Sequence, residues 1–189
     1  MARRPNRPPT ACASAWRSRA GCTESPKITI AAIPGACAGA GLSIALACDF
    51  RLAAKTAKIT TAFAKVALSG DFGGTFFLTQ LVGAAKAREL YLLSDVILGE
   101  EAAALGVVTR AVDPDALAHE AMALARRIAS GPRITLSLMK RNLVTAERGD
   151  LMLSFDTEAA NHARSAGTAD HKEAARAFVE KRAPVFRGR

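Results

Sequence analysis

Apolar positions change their spacing from the front of the chain to the back. Residues 30–48, IAAIPGACAGAGLSIALAC, carry no charge over 19 positions. That length would suit a membrane span. Pro34-Gly35 interrupts the run, however, and small residues dominate it. It predicts instead a buried strand at 28–33, a glycine-rich turn at 34–40 and a buried helix at about 41–48. The helix is apolar nearly all round, which predicts cover on every side. Past Asp49, strands are expected at 50–54 and 57–62. Gly73-Gly74 open a helix through Leu81, and GAAKARELYLLS supplies another, with Ala87, Leu90 and Tyr91 at helical spacing. EEAAALG reads as a short helix closed by Gly106, and VVTRAV as a strand. Asp113-Pro114 starts a helix with apolar face Leu117, Met122, Ala125 and Ile128, ending at Gly131-Pro132. Helices then fill 132–147, 151–165 and 170–181. The pattern is α/β in front (27–112) and helical behind (113–189), without an internal sequence repeat.

Composition changes this picture mainly at the N-terminus. The chain is half apolar over 189 residues, enough for one domain with a sizeable core. More than half of the formal charge of +9 comes from Arg3, Arg4, Arg7, Arg17 and Arg19, within residues 1–22 that hold no acid. Residues 1–26 therefore read as a basic tail, disordered or foreign to the domain, without the apolar segment of a secretory signal. With the charge confined there and a single Trp and Tyr for stacking, nucleic acid is not the expected partner. Cys12 and Cys22 fall in the tail. Cys37 and Cys48 read as small core residues of a reduced protein, and no cysteine–histidine spacing suits a metal.

Candidate chemistry is sparse. Gly35, Gly39 and Gly41 suggest a close backbone approach, but Ile44 stands where a dinucleotide loop needs its third glycine. His119, His162 and His171 read as surface residues. In VALSGDFGG, residues 66–74, Asp71 is a lone carboxylate among apolar and glycine residues. It either caps the helix that follows or moves a proton. Val66, Ala67, Leu68, Phe72 and Phe76 would strip water from it, whereas a helix start at Gly73 would stabilise its charge.

Four strings, KITIAAIPGACAGAGLSIALACDFRLAA, GGTFFLTQLVGAAKARELYLLSD, EEAAALGVVTRAV and FVEKRAPVFRG, resemble in order the crotonase (enoyl-CoA hydratase/isomerase) superfamily over residues 27–188. The resemblance implies an α/β fold with a spiral core of ββα units, here short of its N-terminal part, and a C-terminal helical trimerisation region. It implies a cytoplasmic enzyme of fatty acid metabolism, a homotrimer or hexamer acting on acyl-CoA, with no cofactor beyond the coenzyme A of the substrate and no membrane partner. Such enzymes hold a thioester enolate between two backbone N–H groups. By position one is that of Ala40, with Gly39 and Gly41 keeping the approach open, and the segment supplying the second has no counterpart here. Family hydratases use two glutamates, at whose places stand Ser43 and Phe63. Asp71 is similar in position to the aspartate that shuttles protons in dienoyl-CoA and epoxyphenylacetyl-CoA isomerases, so the resemblance implies an isomerase. The alternatives are a hydratase, or an impaired fragment that keeps only the fold and its oligomer surfaces. Phe63, Phe76 and Phe77 either line an acyl pocket or belong to the core. Phe178 and Lys181, with Arg182, are similar to residues near the coenzyme A phosphates, or form a solvated surface.

Overall fold

The charge-free run folds into three short pieces rather than one rod. A computed structural model describes residues 21–189. After a helical turn α1 (Gly21–Glu24) come strand β1 (Ile30–Ile33), a two-residue strand β2 (Cys37–Ala38) and helix α2 (Ala40–Leu46). The same order follows as β3 (Phe50–Ala54), β4 (Lys58–Thr60) and α3 (Gly74–Leu93). Structure therefore repeats where sequence does not: β1 pairs parallel with β3, and β2 with β4. Then come β5 (Ile97–Leu98), α4 (Gly99–Ala104), β6 (Arg110–Val112) and the helices α5 (Leu117–Ala129), α6 (Arg133–Ala146), α7 (Leu151–Ala166) and α8 (Ala169–Val179). Two three-stranded sheets result, β1-β3-β6 and β2-β4-β5, the β4–β5 pair being antiparallel. Among the described residues no helix is long and apolar enough to cross a membrane.

Burial explains these elements. β3 is the central strand of its sheet, and Leu52, Ala53 and Ala54 are wholly buried, as a strand covered on both faces requires. Leu42, Ala45 and Leu46 of α2 pack into the same core as Leu78 and Ala87 of α3. A buried leucine of this kind stabilises by about 1.5–3 kcal/mol. Three expectations need correction. First, α2 is not covered on every side: Gly41 and Ile44 are exposed on one stripe. Second, the two helices expected at 73–94 form one element broken at Gly83, whose φ of 76° and ψ of 163° are not helical. Third, the inner face of α5 is Leu117, Ala121 and Leu124, and Met122 is exposed. Spacing alone mistook an outward methionine for part of the apolar stripe.

The tail also ends earlier than residue 26. The Thr23 hydroxyl donates to the Ala47 carbonyl (3.0 Å), and the carbonyls of Cys22 and Lys27 accept from the Lys140 ammonium at 2.5 and 3.0 Å. Half-buried Cys22 lies beside Cys48, whose thiol is pushed up to about 11, mainly by burial. Cys37 is buried, as expected, and Cys12 lies outside the described residues.

Lys140 places its third proton on Asp49 Oδ2 at 2.6 Å, and the same oxygen accepts from Thr29 N–H (2.7 Å) and the Thr29 hydroxyl (2.8 Å). Next to it, buried Arg51 donates to the carbonyls of Leu46, Cys48 and Val107, which gathers the C-terminal end of α2. At the far end Asp170 accepts the N–H groups of Arg187 and Gly188, closing the C-terminal strand of chain onto α8. Because the Lys140 side chain is only 4% exposed, removing its partner leaves a buried charge unpaired. Asp49→Ala is expected to lower the unfolding free energy by about 3–5 kcal/mol in urea titrations, and Asp49→Leu combined with Lys140→Met to cost clearly less.

Candidate active site

The segment between β4 and α3 bears Phe63 and Asp71, and its β4 end is anchored by hydroxyl groups. Thr60 donates its hydroxyl to the Ser94 carbonyl (3.0 Å), and Thr61 donates to the Leu90 carbonyl (2.8 Å). Thr61 Oγ1 also lies 3.0 Å from Ser94 Oγ, itself 3.1 Å from the Tyr91 carbonyl. These bonds give the Tyr91 and Ser94 carbonyls at the end of α3 a partner, and the Leu90 carbonyl, which already accepts the Ser94 N–H, a second one. They fix the last turn of α3, and with it Tyr91.

The Tyr91 ring stacks on Phe63, with centroids 6.0 Å apart and planes 4° from parallel. Its hydroxyl and that of Ser43 on α2 both lie against Gly74. Ser43 is 1% exposed and donates its hydroxyl (3.2 Å) and its N–H (2.9 Å) to the Gly39 carbonyl. Gly39 in turn donates its N–H to the Thr60 carbonyl at 3.3 Å. Its φ of 52° with ψ of −122° is a conformation open to glycine, and a Cβ there would reach the Phe63 ring. Gly74 serves a different purpose. A Cβ at that position would overlap Ser43 Oγ and the Tyr91 hydroxyl, so glycine allows α2 and α3 to approach.

Asp71 is not the cap of α3. Gly73 is, with φ 77° and no side-chain hydrogen bond, and the Asp71 carbonyl accepts Gly74 N–H at 2.9 Å. Asp71 Oδ1 is buried without a hydrogen-bond partner. Its charge acts on Tyr91, whose hydroxyl is pushed up to about 12, first by burial, with Asp71 adding and the nearby Ser43 hydroxyl opposing. The apolar surround expected from sequence is wrong in detail. Val66 and Leu68 face solvent, and Phe72 is half-buried at φ 43°, a left-handed conformation rare for a bulky residue.

The other candidates scatter. Phe63 is buried behind Tyr91, and Phe76 is 47% exposed. Phe77 packs on the core and lines a cavity of about 440 Å³ with Leu46, Leu81, Leu136 and Arg51, whose walls include neither Asp71 nor Ala40. Phe178 on α8 is 85% exposed, α8 packs chiefly on α7, and Lys181 is exposed in the turn just past its end. Arg182 is committed to Glu173 and Glu180. The three histidines are exposed, and no metal-binding cluster occurs among the described residues. Sequence reasoning missed Tyr91, Thr60, Thr61 and Ser94 as parts of the site. Their only visible signal was polar character inside apolar strings.

Tyr91 is the sole tyrosine, so its ionisation can be followed in the intact chain. In the folded protein its tyrosinate absorbance, read after a rapid pH jump, is expected to have a midpoint near 12. Asp71→Asn should move that midpoint down. A raised hydroxyl value contributes stability below the unfolded value and loses it as pH rises through the folded one, so alkaline unfolding should track this titration.

Residues 14–189 match the enoyl-CoA hydratase/isomerase family. The chain is 39% identical over 165 residues to 1,2-epoxyphenylacetyl-CoA isomerase from Escherichia coli, covering 87% of this chain and 63% of that protein. It is 37% identical over 186 residues to (E)-benzylidenesuccinyl-CoA hydratase from Thauera aromatica, covering 96% and 73%. A crystal structure of enoyl-CoA hydratase from Bacillus anthracis superposes with a TM-score of 0.88 at 33% identity, over 93% of this chain and 69% of that one. With that agreement in sequence and in the ββα architecture, the chain belongs to the enoyl-CoA hydratase/isomerase family, the crotonase fold.

Proposed function

We propose that this chain shifts a carbon–carbon double bond in an acyl-CoA thioester, with Asp71 as the group that moves the proton. The observation that carries the proposal is the buried, unpartnered Oδ1 of Asp71. A buried carboxylate oxygen without a hydrogen bond is costly, and folded proteins rarely keep one without use. The left-handed Phe72 next to it points the same way, since strained backbone gathers where function over-determines it. The likeness to 1,2-epoxyphenylacetyl-CoA isomerase supports the isomerase over the hydratase. Hydration needs one group to activate water and another to protonate carbon. Ser43, whose hydroxyl is spent on the Gly39 carbonyl, and Phe63, which has no proton to give, supply neither. The hydratases among the relatives leave hydration as the second reading.

In the proposed cycle Asp71 takes a proton from the acyl chain, and the electrons of that C–H bond pass into a dienolate. The Ala40 N–H receives the thioester oxygen as it gains negative charge. Asp71 then returns the proton at a different carbon, and the electrons settle as the displaced double bond. Proton and electrons balance within substrate and carboxylate, and coenzyme A leaves with the product as it came. Phe63 backs the acyl group through Tyr91, and Phe178 and Lys181 are available to the coenzyme A of this or a neighbouring copy. Leu151, Met152 and Phe155 of α7 are all more than half exposed, which supports assembly into a trimer or hexamer.

Asp71→Asn keeps the shape and removes the base. Isomerisation of an enoyl-CoA followed by ultraviolet absorbance is expected to slow roughly 10²–10⁴-fold, with the unfolding midpoint retained. Unchanged isomerisation would remove Asp71 from the mechanism, and hydration outpacing isomerisation in the unaltered chain would favour the hydratase.

A further inference from the structure

We propose that the cavity of about 440 Å³ between α2, β3, α3, α5 and α6 is a second binding site, for a neutral medium-chain amphiphile whose head, of the carboxamide type, both accepts and donates hydrogen bonds. The proposal stands apart from the role given to Asp71, which does not line this cavity. The volume falls in the range of small-molecule sites, and Leu46, Leu81, Leu136 and Leu143 supply apolar wall for an alkyl chain.

The polar groups at this cavity select the head. Four charged side chains line it, Asp49, Arg51, Lys140 and Glu147, two of each sign. Lys140 has no donor to offer, because its three protons go to the Cys22 and Lys27 carbonyls and to Asp49. Arg51 has. It is 7% exposed, and its Nε and Nη1 are engaged on the carbonyls of Val107, Leu46 and Cys48. The two N–H groups of Nη2 have no protein partner. Nη2 is not sealed from space either: among the described residues Asp71 Oδ1 is the one fully buried side-chain atom without a partner. A buried guanidinium that lines a cavity, with one nitrogen unpartnered and still open, is a donor pair held ready for an acceptor.

The acids ask for the opposite. Asp49 gathers Thr29 and Lys140 on Oδ2 alone, which leaves Oδ1 to accept. Burial pushes the Glu147 carboxyl up, and the charge of Asp49 adds to it. A carboxylate head would meet Arg51 but bring a third negative charge to a cavity whose charges already balance, and a cationic head would face Arg51. A carboxamide sets its carbonyl on Arg51 and its N–H groups toward the acids, and adds no net charge to a region shielded from water.

Calorimetric titration of the intact chain with octanamide tests the site. One molecule is expected to bind per chain with a Kd on the order of 10⁻⁴ M, and octanoate and octylammonium roughly tenfold more weakly. Leu143 is 66% exposed and lies outside the core, so Leu143→Trp fills the cavity from its wall and is expected to weaken octanamide roughly tenfold or more. Arg51→Lys keeps the charge but loses the fork, and is expected to cost roughly tenfold. Should Arg51→Lys fail to fold, Leu143→Trp decides alone. Absence of octanamide binding to the unaltered chain overturns the site, and octanamide held as tightly by a folded Leu143→Trp overturns its location. Octanoate binding as tightly as octanamide overturns the neutral head.

Discussion

Two helices meet where one methyl group would hold them apart. The absence of a side chain at Gly74 lets the first turn of α3 lie against Ser43 of α2, and the Tyr91 hydroxyl reaches the same point from the last turns of α3. Everything assigned to the site depends on this approach. It buries Ser43 and sets the Tyr91 hydroxyl at the same point. The buried Ser43 hydroxyl is satisfied there by the Gly39 carbonyl. A buried hydroxyl left unpaired would cost about as much as the packing gains.

Polar groups are therefore treated in two ways within the same core. Asp49, Lys140 and Arg51 are charged and largely buried, yet they are held by carbonyls, by Thr29 and by one another. They are structural, and the exactness of their pairing is what permits their burial. Asp71 departs from that pattern, with one oxygen left without a partner. In a fold that pairs its other buried charges, that exception is what supports the proposal that Asp71 meets a substrate.

Much of the fold was legible in the sequence because its central strand, FRLAA, is covered on both faces and reads as an apolar run interrupted only by Arg51. The turn at Gly39, the strand–helix order and the lone carboxylate could all be located. Asp71 could be singled out from the sequence, but its surroundings could not be foreseen. Val66 and Leu68 were expected around it from adjacency along the chain, whereas Tyr91, twenty residues on, stands there instead. Local spacing cannot foresee which distant residue the tertiary fold returns to a loop. The same limit hid Lys140, one of three cations of α6, and it set the end of the tail too late by several residues.

The reach of Lys140 bears on how the protein is made. Its ammonium joins Asp49, 91 residues earlier, and Cys22, 118 residues earlier. Contacts so far apart in sequence close late, after large losses of chain freedom. During synthesis the parallel strands β1 and β3 emerge long before the residue that locks them, and Asp49 waits in solvent until α6 has left the ribosome. The nascent front half is thus an incomplete sheet with apolar edges, and chaperone protection over that interval is a cost built into the position of a single lysine.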